Sequence, residues 1–141
     1  MTRVCIFGAG AIGGYLGAAL HEAGADVSLV ARGPHLAAIR DNGLGLKKGA
    51  TTPRYRLAAS DKSADLGKQD YVILAIKAHT IPMIIDDLAP LLGPDTAVVS
   101  AVNGLPWWYF HKAQTGTALD ETPLEAVDPG GRVWNEIGPE R

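Results

Sequence analysis

Short runs of consecutive apolar residues alternate along this chain with stretches in which apolar positions recur every three or four residues. Val4 to Phe7 is the first continuous run, and it ends at glycine, as expected of a strand covered on both faces. Ile12, Leu16, Ala19, Leu20 and Ala23 then follow helical spacing up to a stop at Gly24. Val27 to Ala31 predicts a second strand, and His35 to Asp41 a short helix closed by Asn42-Gly43. Leu44/Leu46 and Tyr55/Leu57/Ala59 alternate around the turn-rich residues 49–53 and predict a hairpin-like excursion. Tyr71 to Ile76 and Ala97 to Val102 are two further buried strands. The most regular helical stripe lies between them: Ile81, Ile84, Ile85, Leu88, Leu91 and Leu92, with Asp86 and Asp87 opposite. Thr80 is its expected N-cap, Pro82 sits in its first turn, and Gly93-Pro94 stops it.

Strands alternating with helices imply right-handed crossovers and an α/β fold, a doubly wound, mainly parallel sheet with flanking helices. After Phe110 the pattern weakens. A short helix is predicted from Arg132 to Ile137, and residues 112–141 read as a less regular tail of a single domain spanning 1–141.

Composition narrows the function classes. The 141 residues are 47% hydrophobic and 20% charged with a net charge of −2, the balance of a folded globular chain. The 13 basic residues are scattered, only Lys47-Lys48 being adjacent, so no nucleic-acid-tracking stripe is present. No apolar run approaches the roughly 18 residues of a membrane span. Met1-Thr2-Arg3 runs directly into the first strand and leaves no room for a signal peptide, so a soluble, cytoplasmic protein is expected. Cys5, the one cysteine, reads as a buried strand thiol.

Gly8-Ala9-Gly10-Ala11-Ile12-Gly13 is a G-x-G-x-x-G run, which alone is weak in a chain holding 17 glycines. Its place between the first strand and the first helix makes it strong, because each glycine then has a task. The first permits a tight turn, the second lets a pyrophosphate approach the backbone, and the third lets helix and strand pack closely, as in a Rossmann dinucleotide site. The helix N-terminus offers free N–H groups and partial positive charge to the phosphates. The second strand ends Val30-Ala31-Arg32-Gly33, without the acid that usually holds the ribose of NAD; Asp26 is at the opposite end. Arg32 suits a 2′-phosphate, which favours NADP(H), the alternative being a solvated surface arginine.

Ligands in open parallel sheets bind beyond the carboxyl ends of the strands. Lys77 and Asn103 stand there, the first suited to orient a carboxylate or carbonyl, the second to hydrogen-bond the nicotinamide ribose or substrate. On spacing alone each reads equally as a turn or helix-entry residue. His21, His35, His79 and His111 lack metal-ligand spacing and read as surface or helix-end residues; no metal site is expected. Pro106-Trp107-Trp108-Tyr109-Phe110 is dense in aromatics. It reads either as a local helix on the domain's own core or as an interface, with a second domain or with another copy in a homodimer.

Together these residues resemble the N-terminal domain of the ketopantoate reductase (2-dehydropantoate 2-reductase) family. The resemblance rests on Gly8 to Gly14, Arg32, Ile76-Lys77-Ala78, Val102-Asn103-Gly104, Leu105 to Phe110 and Val127-Asp128-Pro129-Gly130-Gly131. It implies a pyrophosphate along Gly8, Gly10 and Gly13, a 2′-phosphate on Arg32, and Lys77 and Asn103 facing the nicotinamide and a small keto acid. It also implies reduction of ketopantoate to pantoate by NADPH in pantothenate and coenzyme A biosynthesis. The family pairs such a domain with a second, helical one whose lysine assists proton transfer, and none of the present residues matches it. The chain is therefore expected to be the nucleotide-binding half and inactive alone. Two other readings stay open: a stand-alone regulatory nucleotide-sensing domain, or the cofactor domain of another 2-keto acid dehydrogenase.

Overall fold

The computed structural model describes all 141 residues. Five parallel strands form the sheet: β1 (Arg3–Phe7), β2 (Asp26–Val30), β5 (Ala58–Ser60), β6 (Tyr71–Leu74) and β7 (Ala97–Ser100). They lie in the order β5-β2-β1-β6-β7, so the chain reverses its direction of travel across the sheet between β1 and β6. That crevice is where a doubly wound sheet binds ligands.

The unbroken apolar runs of the strands follow from burial on both faces. In β1, Val4 and Ile6 join one core with Ala18, Val27, Leu29, Leu36, Ile39 and Leu44. Cys5 and Phe7 point to the other, with Val72, Leu74, Ile85, Leu88, Leu91, Trp107 and Val133. Burial pushes the Cys5 thiol up to about 11, so it stays protonated.

Helix α1 (Ala11–Glu22) buries Gly13, Gly14, Gly17 and Ala18, while Leu16 and Leu20 of the predicted stripe pack against the same core only in part. Ile12 is 63% exposed, while Leu16, Ala19 and Leu20 are half-buried. Small residues win because the helix lies close to the sheet: a Cβ on Gly17 would stand 3.1 Å from Leu29 Cδ2. Helix α2 (Gly33–Asn42) ends at Gly43, as expected.

The hairpin is present as β3 (Leu44–Gly45) against β4 (Arg54–Tyr55). Lys48 Nζ lies 2.6 and 2.7 Å from the two oxygens of Glu22, and Tyr55 donates its hydroxyl to the same carboxylate, tying hairpin to α1. Ala58–Ser60 differs from expectation: it leaves the hairpin and pairs with β2 in the main sheet.

The predicted helix over residues 81–92 is broken into a 3₁₀ segment (Ala78–Met83), one α-turn α3 (Ile85–Leu88) and a second 3₁₀ turn (Ala89–Leu91). Pro82 and Pro90 lack the N–H groups that a continuous helix needs. Its apolar face survives the break, with Ile81, Ile84, Ile85, Leu88 and Leu91 buried. Thr80 is not an N-cap. Its hydroxyl donates backward to the Lys77 carbonyl at 2.7 Å, and Lys77 occupies the cap position without a side-chain bond.

The tail is irregular but belongs to the same core. Helix α4 (Arg132–Glu136) contributes Val133, and Ile137 follows it into the interior. Asp128, fully buried, accepts the N–H groups of Val133 and Trp134 at 2.9 and 2.8 Å and so holds the start of α4. Trp107 is only 4% exposed and packs in this core, so for this residue the core reading of the aromatic run holds and the interface reading does not. Trp108 and Tyr109 are exposed, at 42% and 49%. No helix is long and apolar enough to cross a membrane, and no cluster of side chains could hold a metal ion.

Candidate functional site

The loop from Gly8 to Gly13 stands at the crevice, and the three glycines differ in what surrounds them. Gly8 has φ +105°, and a Cβ there would stand 2.6 Å from Ile76 Cγ2 and 2.7 Å from the Ala75 carbonyl oxygen. A Cβ on Gly13 would overlap the Gly8 carbonyl oxygen. Gly10 is the opposite case: a Cβ there would meet nothing within 4 Å. Two of the glycines are thus required by the fold, and the middle one leaves space for something outside it.

Gly10 is the N-cap of α1, with no side-chain bond and no acid in the first turn. The N–H groups of Ala11, Ile12 and Gly13 have no partner in the chain, as the first turn of a helix dictates. Gly10 borders three cavities, two of which also share Ile76. A cleft of about 800 Å³ is lined by Gly10, Ala11, Ile12, Lys77, His79 and Asn103, among others. A smaller cavity of about 270 Å³ holds Ala9, Gly10, Arg32, His35, Thr80 and Ile84. The result is a trough whose middle is a helix N-terminus and whose ends carry Arg32 on one side and Lys77 with Asn103 on the other.

Every residue expected at the site from sequence lines this trough except Gly13, which shapes the loop from the core side. Lys77 and Asn103 come together because β6 and β7 are neighbours and each stands three residues past its strand. The strands are shorter than expected, and Ala75 and Ala101 make the last ladder bonds, to Phe7 and Leu74. Beyond them no ladder bond continues, and residues 75–79 and 101–103 line the cleft. Neither the Lys77 amine nor the Asn103 amide is tied up in a hydrogen bond or ion pair.

Two features were not anticipated. Arg32 forms an ion pair with Asp87 at 3.0 Å, both side chains more than half exposed. His35, in the first turn of α2, brings Nε2 to 2.6 Å from the Ala9 carbonyl oxygen. The spacing Arg32-x-x-His35 at a helix start was the only signal available for it. His21 instead packs edge-on against Tyr55, and His111 lies beside Glu121, away from the site.

With this geometry established, known proteins give it a lineage. The family model described as ketopantoate reductase PanE/ApbA matches residues 4–108. A 2-dehydropantoate 2-reductase of Mesorhizobium japonicum is 53% identical over 140 residues, covering 99% of this chain and 42% of the relative. A structure assigned as a ketopantoate reductase of Ralstonia solanacearum superposes with a TM-score of 0.87 at 44% identity, covering 97% of this chain and 42% of that one. D-Mandelate dehydrogenase, solved with NADH and anilino(oxo)acetate, superposes at 0.68 with 27% identity, covering 74% of this chain and 35% of that one. The chain thus spans about two-fifths of the length of these ketopantoate reductase relatives. From residue 4 to residue 108 its sequence, and over nearly its whole length its fold, are theirs: this chain belongs to the ketopantoate reductase family.

Proposed function

We propose that this chain is the NADPH-binding domain of an oxidoreductase that reduces a small 2-keto acid, ketopantoate in the first instance. The observation that carries the reading is the open position at Gly10, set between two cavities at an unpartnered helix N-terminus. The residues fit a dinucleotide. Ala11, Ile12 and Gly13 present N–H groups to a pyrophosphate lying over Gly10. Arg32 reaches the adenosine end of the trough. Its exposed ion pair with Asp87 is worth about 1 kcal/mol or less, so the guanidinium exchanges it for a doubly charged 2′-phosphate at little cost.

The bound nicotinamide would supply the hydride. Ile12, with its side chain exposed on the cleft, offers an apolar surface at that end. Lys77 and Asn103 would orient the carboxylate and carbonyl of the keto acid. Holding reactants in place can contribute many orders of magnitude to a rate, but only if the cleft excludes water and both walls are fixed. In this chain the cleft is bounded by the glycine loop and the ends of β6 and β7 alone. We therefore expect the 141-residue chain to bind NADPH and to oxidise it with ketopantoate slowly or not at all.

The test joins the chain to the helical domain of a family relative and follows NADPH oxidation with ketopantoate and with other 2-keto acids. Lys77→Ala and Asn103→Ala should each lower turnover while leaving the melting temperature unchanged. Unaltered steady-state kinetics in both variants would remove these residues from the substrate site. A regulatory nucleotide-sensing domain is disfavoured by Arg32, which occupies the position where such a site for NAD needs an acid.

A further inference from the structure

Most of the trough is explained by binding a dinucleotide, but the contact between His35 and the glycine loop is not. It links residues 26 positions apart, from the first turn of α2 to the middle of the loop. A carbonyl oxygen only accepts, so His35 Nε2 carries the hydrogen and donates it to Ala9. In a trans peptide the C=O and the N–H point in opposite directions. With the Ala9 carbonyl held toward α2, the Gly10 N–H of the same peptide is turned away from α2.

That peptide is unusually easy to flip. Rotating it changes ψ of Ala9 and φ of Gly10, and a glycine with nothing around its Cβ position accepts either sign of φ. A flipped peptide would present the Ala9 oxygen where the Gly10 N–H now stands. The negative end of the dipole would then face the phosphates at the open position. No other hydrogen bond in the chain holds the Ala9 carbonyl.

We infer that His35 is a positioning residue for the dinucleotide: it latches the Ala9–Gly10 peptide in the orientation that accepts a pyrophosphate. The latch serves the pyrophosphate, which both nicotinamide dinucleotides share, so it acts on NADPH and NADH alike. Arg32, the N-cap residue three positions before His35, acts only where a 2′-phosphate is present. This inference rests on the cofactor reading above.

The experiment compares His35→Ala and His35→Gln with the unsubstituted chain by titration with NADPH and with NADH. Loss of one hydrogen bond predicts that His35→Ala weakens both cofactors by the same factor, roughly 2- to 12-fold. Gln places an N–H near the position of Nε2 and should restore most of the loss. In the unliganded protein the Gly10 amide resonance should shift in His35→Ala and return in His35→Gln. Equal affinities in His35→Ala and the unsubstituted chain, a loss confined to NADPH, or an unmoved Gly10 resonance would each overturn the latch. Binding of neither cofactor by the unsubstituted chain would instead overturn the cofactor reading, and the resonance would still decide whether the contact holds the peptide.

Discussion

Gly10→Ala and Gly13→Ala are the same chemical change three residues apart, and the structure predicts opposite consequences. A methyl on Gly13 is driven into the Gly8 carbonyl oxygen, with Ile6 Cγ2 at 2.9 Å on another side. The clashing atom is backbone, so loop and helix must separate. Overpacking of this kind costs about 1–3 kcal/mol, and the upper end applies where a main-chain atom has to move. Replacing glycine inside a helix returns about 1 kcal/mol. The net loss is about 2 kcal/mol, a fall of about 4–8 °C in melting temperature for a chain of this size. Gly10 has φ −68° and an empty Cβ position, so its alanine variant should melt within about 3 °C of the unsubstituted protein. On the proposed reading its methyl group would occupy the space a pyrophosphate needs, and NADPH affinity should fall by about tenfold or more. Differential scanning fluorimetry and fluorescence titration of the two variants separate the effects. If Gly10→Ala bound NADPH normally, or melted as low as Gly13→Ala, the division of labour among the glycines would be wrong.

Two further expectations concern the frame of the site. The bond from Lys48, and secondarily that from Tyr55, holds the Glu22 carboxyl below its ordinary value of 4.5. A lowered carboxylate stabilises above that ordinary value and loses its contribution as pH falls through the lowered one. The docking of the β3–β4 hairpin on α1 should therefore loosen in acid, seen as faster hydrogen exchange at Leu46 after correction for intrinsic rate. The same acid response in Glu22→Gln would assign it elsewhere. Trp107→Ala should destabilise by about 3–5 kcal/mol because the side chain is buried, whereas Trp108→Ala at an exposed position should cost under about 1 kcal/mol. Similar denaturation midpoints for the two would contradict the core assigned to Trp107.

Local patterns carried the fold far. The continuous run Val4 to Phe7 requires a strand covered on both faces, and the glycine run behind it requires a tight turn into a helix. The absence of an acid after Val30 was visible in the same way. What escaped reading depended on contacts made at a distance. Asp87 meets Arg32 across 55 positions, and His35 meets Ala9 across 26. Nothing periodic marks either pair. Ala58–Ser60 could have continued the hairpin, and only the open edge of β2 recruited it to the sheet. The stripe from Ile81 to Leu92 was legible as a buried face, and its break was legible too, in Pro90, whose missing N–H a continuous helix does not accommodate. Trp107 and Trp108 are chemically identical neighbours, and only the packing of α4 decides which one turns inward.

On the proposed reading, Arg32 holds a 2′-phosphate at one end of a dinucleotide trough. Isothermal titration of the chain and of Arg32→Ala with NADPH and NADH tests it most directly. A lost charge-assisted hydrogen bond contributes about 1.5–3 kcal/mol, so Arg32→Ala should weaken NADPH binding roughly 10- to 150-fold and leave NADH nearly unchanged. Equal losses for both cofactors, or none for either, would contradict the account.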